Sequence, residues 1–98
     1  MSEGVANGAG DERLSASEQV MAIKVEEEVI AFHMDHGRYF GLRGAAGLVW
    51  ERIQAGTDRE SAIAAEILAS HRGDPDHIRA DVAKAIAEMK RLGILIGG

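Results

Sequence analysis

Residues 19–43 read QVMAIKVEEEVIAFHMDHGRYFGLR, and their apolar pattern is the strongest indication of the fold. Large apolar residues stand at every second position in three successive runs: Met21, Ile23, Val25; Ile30, Phe32, Met34; and Phe40, Leu42. Alternation of this kind, rich in β-branched and aromatic residues, is typical of half-buried strands. The sequence therefore predicts three strands, with these large residues of the second and third strands on one common face.

The loop between the second and third strands fixes their register. A two-residue loop would pair Phe32 with Gly41, whereas a three-residue loop, Asp35–Gly37, pairs Phe32 with Phe40 and brings every large apolar group to one side. The longer loop also places Gly37 where a left-handed residue is needed. We therefore predict the three-residue loop, with Met34 opposite Arg38 and Ile30 opposite Leu42.

Beyond Gly44 the apolar period becomes helical, and three helices are predicted. The first carries Trp50 in its apolar stripe and stops at Gly56. Thr57–Glu60 reads as a capping box that opens the second helix. Asp74-Pro75 supplies an N-cap and a first-turn proline for the third helix, which ends at Gly93. Residues 94–96 could form a short strand or coil.

Three strands followed by three helices predict an α+β fold, with an antiparallel sheet covered by helices on one face. Such a sheet leaves its other face and at least one edge exposed. An exposed edge can accept an extended peptide by strand addition. With Arg38 closing the hairpin, Tyr39, Gly41 and Arg43 would turn their main-chain groups to that edge.

The N-terminal residues 1–17 lack an apolar period, and we expect a disordered tail there, followed by a single domain over residues 18–98. The chain has 11 Lys and Arg against 16 Asp and Glu, a net charge of −5, and no cysteine. This balance argues against a nucleic-acid partner. No segment is long and apolar enough for a membrane span, and we expect a cytoplasmic protein.

Catalytic and metal-binding patterns are not apparent in the sequence. His33, Asp35 and His36 lie close together, but a metal needs three or four converging ligands and no second cluster is obvious. The glycines match no phosphate-binding motif, and no serine lies in a nucleophile-elbow context. We therefore expect no enzyme activity, no metal and no cofactor.

The segment YFGLRGAAGLVWERI, residues 39–53, resembles the PqqD-like family, in which an aromatic–x–Leu strand leads through a small-residue turn to a helix with an apolar–Trp pair. The similarity continues through Gly56-Thr57, the 63–68 helix, Asp81-Val82 and the ending LGIL, and covers roughly residues 19–96. The family often has Asn after the strand leucine and a hydroxyl residue soon after. This chain has Arg43 and Ala45 there, so the first helix must rely on Gly44 for its start.

The resemblance implies a winged helix-turn-helix-like RiPP recognition element, a non-catalytic domain that binds the leader segment of a ribosomally made precursor peptide. Its stand-alone form is similar to the leader-binding partner of lasso-peptide pathways, which serves a separate leader peptidase and a cyclase. The alternatives are a peptide chaperone of pyrroloquinoline quinone biosynthesis and a DNA-binding winged-helix regulator.

Two segments are expected to bind the leader. One is the third strand with its flanks: Arg38, Tyr39, Phe40, Gly41, Leu42 and Arg43. The other is one flank of the third helix, chosen because Asp81 falls in the family's Asp–Val motif: Asp81, Lys84, Ala85 and Glu88.

Overall fold

The computed structural model describes residues 11–97, and its architecture is the predicted α+β fold. A three-stranded antiparallel sheet in the order β2-β3-β4 precedes three helices, and a second, two-stranded sheet pairs the ends of the described chain. In chain order the elements are β1 (Leu14–Ala16), β2 (Val20–Val25), β3 (Glu28–His33), β4 (Arg38–Leu42), α1 (Ala45–Gln54), α2 (Glu60–Ser70), α3 (Pro75–Arg91) and β5 (Leu95–Gly97).

The predicted disorder of residues 1–17 is wrong for residues 11–17, while residues 1–10 lie outside the described part of the chain. β1 pairs antiparallel with β5, with Ser15 opposite Ile96. Leu14 is only 4% exposed, and its N–H donates to the carbonyl of Asp58 at 2.7 Å. One buried leucine and a short ladder to the C-terminal strand suffice to order a segment whose composition is otherwise polar.

The predicted register between β3 and β4 is also wrong, by one residue. Phe32 lies opposite Tyr39, and His33 opposite Arg38, so the loop contains four residues, 34–37. The N–H of Gly37 donates to the carbonyl of His33 at 2.8 Å, and Gly37 has a φ of 64°. Gly37 does adopt the expected left-handed conformation, but it closes a longer turn than predicted.

The one-residue shift reverses the faces of β3, because side chains alternate along a strand. The core side of β3 carries Val29, Ala31 and His33, all buried. Phe40 and Leu42 face the core as predicted. Ile30 and Phe32 therefore lie on the face away from the helices, contrary to prediction, and Met21 and Ile23 of β2 lie beside them on that face. Small residues such as Ala31, with no exposed surface, lie beneath the helices instead.

The helix boundaries follow the glycine and proline signals, with one exception. α1 starts after Gly44 without a side-chain cap, and Asp74 caps α3 by accepting from the N–H of Asp76. The predicted capping box of α2 does not form, because Thr57 binds the carboxylate of Glu66 at 2.9 Å.

Asp11 takes the place of the missing cap on α2. Its carboxylate accepts from the N–H of Ser61 at 3.0 Å and from the Ser61 hydroxyl at 2.9 Å. These bonds, with Arg59 nearby, lower the pKa of Asp11 below its ordinary value of 3.8. The N-terminal segment thus completes a helix that is 50 residues away in sequence.

The core lies between the sheet and the three helices. Its most deeply buried large side chains share an exposure below 2%: Ile63, Met89, Ile94, Val49 and Val82. Trp50 is 5% exposed, so the predicted core position of this residue matches the structure. No helix among residues 11–97 is long and apolar enough to cross a membrane.

Candidate functional site

The open edge of the sheet at β4 is the first component of the candidate site. The N–H of Met34, the residue after β3, donates to the carbonyl of Gln19 at 2.8 Å. Counting back from Met34, every second residue, including Phe32 and Ile30, therefore bonds towards β2. The residues between them bond towards β4, pairing His33 with Arg38. By this alternation Tyr39 and Gly41 direct their N–H and C=O groups to the open edge. The sequence predicts the same two residues there, although from a register that differs by one residue.

The side chains along the outer side of β4 are exposed at Tyr39 and missing at Gly41. Tyr39 is 74% exposed, and its ring lies 4.6 Å from that of Phe32, centre to centre. A Cβ on Gly41 would lie 2.6 Å from Glu28 Oε2, so the carboxylate of Glu28 occupies the space that a side chain at position 41 would fill. From there Glu28 forms an ion pair with Arg43 at 2.9 Å.

The remaining predicted residues of β4 face the helices. The Arg38 guanidinium lies 5.7 Å from the centre of the Phe40 ring, and the Phe40 side chain is half-buried. Leu42 is 3% exposed, so its side chain belongs to the core and only its main chain is near the edge. A peptide docked along β4 could therefore contact the half-buried side chain of Phe40 on the helix-facing side of the sheet.

The predicted flank of α3 is its free flank. Asp81, Lys84 and Glu88 are exposed, and Ala85 is half-buried against the core. The opposite flank is occupied, since Lys90 forms an ion pair with Glu12 of the N-terminal segment. Helical geometry places the two flanks on either side of the buried stripe, so the predicted side is the one left open.

The C-terminal end of α3 lies against the β3–β4 turn. His33 Nε2 lies 3.2 Å, and His36 Cε1 3.6 Å, from where a Cβ on Gly93 would be. The two imidazole rings stack with their centres 3.8 Å apart. This contact places the residue that follows α3 next to the turn that leads into β4.

A groove of about 560 Å³ lies elsewhere, between β2 and α1. β2 is the other edge of the sheet, and Val29 and Trp50 contribute to the groove. Lys24 Nζ, however, lies 2.7 Å from Glu51 Oε2, so an ion pair connects this edge to α1. Lysine on an edge strand is a common protection against strand addition. We therefore favour β4 as the docking edge.

The electrostatics of the site come from ion pairs. Glu28 raises the pKa of the Arg43 guanidinium, and Arg91 lowers the pKa of the Glu88 carboxyl. Asp81 lies 3.6 Å from His77 Nε2. Within residues 11–97 no three His, Asp or Glu side chains converge on a point where a metal could bind. The arrangement can bind and orient a chain.

Glu28 is the residue of this site that sequence reasoning missed. Its run, Glu26–Glu28, reads as a solvated turn, and nothing in the sequence connects Glu28 with Gly41. Only the correct register places the two on the same face of neighbouring strands. The available signal was a glycine, Gly41, on a strand whose neighbour begins with a charged residue, Glu28.

Comparison with known proteins agrees with this architecture. Two solved structures share the fold: "TbiB1 in Complex with the TbiA(beta) Leader Peptide", 24% identical with a TM-score of 0.77, and "Lasso peptide synthetase B1 complexed with the leader peptide", 14% identical with a TM-score of 0.73. Each covers 86% of this chain, which in turn covers 96% and 98% of theirs. No curated protein matches. Residues 28–95, more than half of the chain, match the family described as Coenzyme PQQ synthesis protein D (PqqD), and the chain therefore belongs to the PqqD family.

Proposed function

We propose that this protein is a non-catalytic adaptor that binds the leader segment of a ribosomally synthesised precursor peptide and delivers it to a processing peptidase and cyclase in lasso-peptide biosynthesis. The leader adds as a strand to β4 and contacts the free flank of α3. The observation that carries the proposal is the unprotected β4 edge, where Tyr39 and Gly41 offer main-chain groups and Gly41 lets another backbone approach.

The structural neighbours support the choice of pathway. Both are described as complexes with a leader peptide, and one as a lasso peptide synthetase component. The adaptor acts by raising the effective concentration of the leader at the processing enzyme, which needs no catalytic group of its own. A peptide chaperone of pyrroloquinoline quinone biosynthesis remains the second candidate, since the family match carries that description.

A DNA-binding function is disfavoured by the charges of α3. Arg79 and Arg91 are engaged by acidic residues of the same helix, and Lys90 by Glu12. A helix that contacts phosphates needs basic side chains free to replace counterions. On α3 three of the basic side chains are instead used within the protein.

The test is a pair of substitutions at Gly41 with titration of a synthetic leader peptide, taken from the precursor gene beside this one. Gly41→Pro removes the outward N–H and should weaken leader binding by more than about tenfold, the equivalent of 1.4 kcal/mol, while the protein still unfolds cooperatively. Gly41→Ala keeps the N–H and also displaces Glu28, so it is the matched control and should bind within about threefold of wild type.

Two further variants separate the edge from the fold. Phe40→Pro removes an inward bond to β3 and should unfold the sheet. Ala22→Pro removes a main-chain N–H that points away from β3, at the opposite edge of the sheet. This variant should leave leader affinity unchanged. Normal leader binding by a folded Gly41→Pro variant would show that β4 is not the docking edge.

A further inference from the structure

Glu28 lies at the end of the sheet where the open β4 edge has no side chain of its own. In the register of β3 and β4 Ile30 lies opposite Gly41, and continuing it places Glu28 opposite Arg43, on the same face as Gly41. A Cβ on Gly41 would lie 2.6 Å from Glu28 Oε2 and 3.8 Å from its carboxyl carbon. The carboxylate of β3 therefore reaches across β4 and occupies the side-chain position of the edge residue.

The carboxylate of Glu28 has acceptor capacity beyond its bond to Arg43. Arg43 donates its Nε–H to Oε2 at 2.9 Å, whereas an ionised carboxylate offers about four acceptor positions. The Glu28 side chain is 33% exposed and that of Arg43 is 80% exposed, so the carboxylate is the more shielded partner. A donor that approaches along the edge can therefore bind the carboxylate without displacing the guanidinium.

We propose that Glu28 is a specificity-determining residue for the leader, and that it selects a leader strand with a basic side chain, lysine or arginine, at the position paired with Gly41. This proposal rests on the proposed function, because it needs a leader strand on β4. It goes beyond that function by giving the edge a preference for one class of side chain at one position.

The first argument is the geometry of an added strand. Gly41 directs its N–H and C=O to the edge, so a leader residue paired opposite it in an antiparallel ladder exchanges both main-chain bonds with it. Directly opposed residues place their side chains on the same face, with Cβ atoms about 4.5–5.5 Å apart. Because Gly41 has no Cβ and the Glu28 carboxylate fills that place, the leader side chain meets an acidic group there.

The second argument is the sign of the charge at this end of the sheet. Glu28 is the last of three consecutive glutamates, and Glu26 and Glu27 are exposed in the β2–β3 turn. The charge of Arg43 is matched by Glu28, and Lys24 is engaged in an ion pair with α1. A basic leader side chain is therefore attracted to this end of the sheet, and an acidic one is repelled.

The two outward-bonding positions of β4 differ in what they present to a leader. Tyr39 presents an aromatic ring, which lies 4.6 Å from that of Phe32, centre to centre. Gly41 presents the carboxylate of Glu28 instead. Leader residues paired opposite these two are two positions apart and share a face. The dependence on Glu28 should therefore be confined to one leader position, and the position two residues away serves as an internal control.

The experiment is a charge scan of the leader against wild-type protein and three variants. The synthetic leader is made with lysine and, separately, with glutamate at each position in turn, so the scan itself finds the position paired with Gly41. Glu28→Gln removes the charge and keeps the size. The exchange Glu28→Arg with Arg43→Glu keeps an ion pair and the net charge but reverses the sign beside Gly41. Glu27→Gln removes an equal charge from the exposed turn and is the matched control.

At one leader position we expect wild-type protein to bind the lysine form at least about fivefold more tightly than the glutamate form, because opposite charges across a ladder attract and like charges repel. Glu28→Gln should reduce this preference to less than about twofold, and the exchange variant should reverse it. Glu27→Gln should keep the wild-type preference. Higher salt should weaken the preference in wild-type protein, because partly exposed charges are screened.

Several outcomes would overturn the proposal. An equal loss of affinity for every leader form in Glu28→Gln gives Glu28 a structural role only. A lysine preference that survives Glu28→Gln assigns the selection to another group, and a glutamate preference at this position assigns it to Arg43. Leader binding without any such position refutes the specificity and leaves the proposed function intact, whereas failure of wild-type protein to bind any leader form refutes the proposed function itself.

Discussion

The N-terminal strand β1 should be a main source of stability, although its sequence predicts a disordered tail. Leu14 is 4% exposed within the core, and truncation of a buried leucine to alanine costs about 2–5 kcal/mol. A domain of this size has a total stability of roughly 5–10 kcal/mol. Taking about 3 kcal/mol and about 4–8 °C per kcal/mol for a small domain, Leu14→Ala should lower the Tm by about 12–24 °C.

The assay is thermal and urea unfolding followed by circular dichroism, on two substitutions and two truncations. Ser15→Ala is the matched control, because Ser15 is exposed on the same strand, opposite the half-exposed Ile96. Deletion of residues 1–10 should leave the Tm nearly unchanged, whereas deletion of residues 1–17 removes β1 together with the Asp11 bonds to α2 and should prevent stable folding.

Equal Tm values for wild type and the 1–17 deletion would refute this reasoning, since they would show that β1 does not dock on the core in solution. A loss in Ser15→Ala as large as that in Leu14→Ala would contradict it differently, by assigning the stability to the ladder with β5 and not to the buried side chain.

Four further results are expected. Trp50→Ala should cost about 3–5 kcal/mol in urea unfolding, and a fully stable variant that loses only leader binding would place Trp50 in the binding groove. Asp11→Asn should lower the free energy of unfolding at pH 7 and flatten its dependence on pH. The pKa of Asp11 is lowered in the folded protein, so its carboxylate contributes stability at pH values above the unfolded pKa. That contribution is lost as the pH falls through the folded pKa, below about 3.8. Glu26→Gly should raise stability by about 0.5–1 kcal/mol, because Glu26 has a φ of 58°, and a lower urea midpoint would contradict this. The protein alone should leave the mass of its precursor unchanged, and a mass change that survives repurification would refute the non-catalytic assignment.

Local signals predicted what depends on local physics. Gly44, the Asp74-Pro75 pair and Gly93 mark helix ends that the structure reproduces, because capping and left-handed turns are decided within a few residues. The order of strands and helices followed from the change of apolar period. The fold class was therefore accessible from the sequence.

Long-range choices were not accessible in this way. The sequence suggested that the larger apolar residues of β3, above all Phe32, are buried. The structure buries Ala31 instead, and Phe32 packs on Tyr39 outside. Which set is buried depends on how β3 pairs with β4, and the isolated sequence does not show that pairing. The Asp11 cap on α2 was missed for a similar reason, since its partner lies 50 residues away.

The two edges of the sheet differ in a way that bears directly on function. An exposed edge promotes aggregation, and proteins protect edges with lysine, proline or covering elements. On β2 the ion pair of Lys24 with Glu51 provides such protection, while β4 has Gly41 at its centre and no lysine among its residues. If both edges were only by-products of a small sheet, both would need protection. Selective protection of β2 therefore supports the proposal that the β4 edge is kept open for a leader strand.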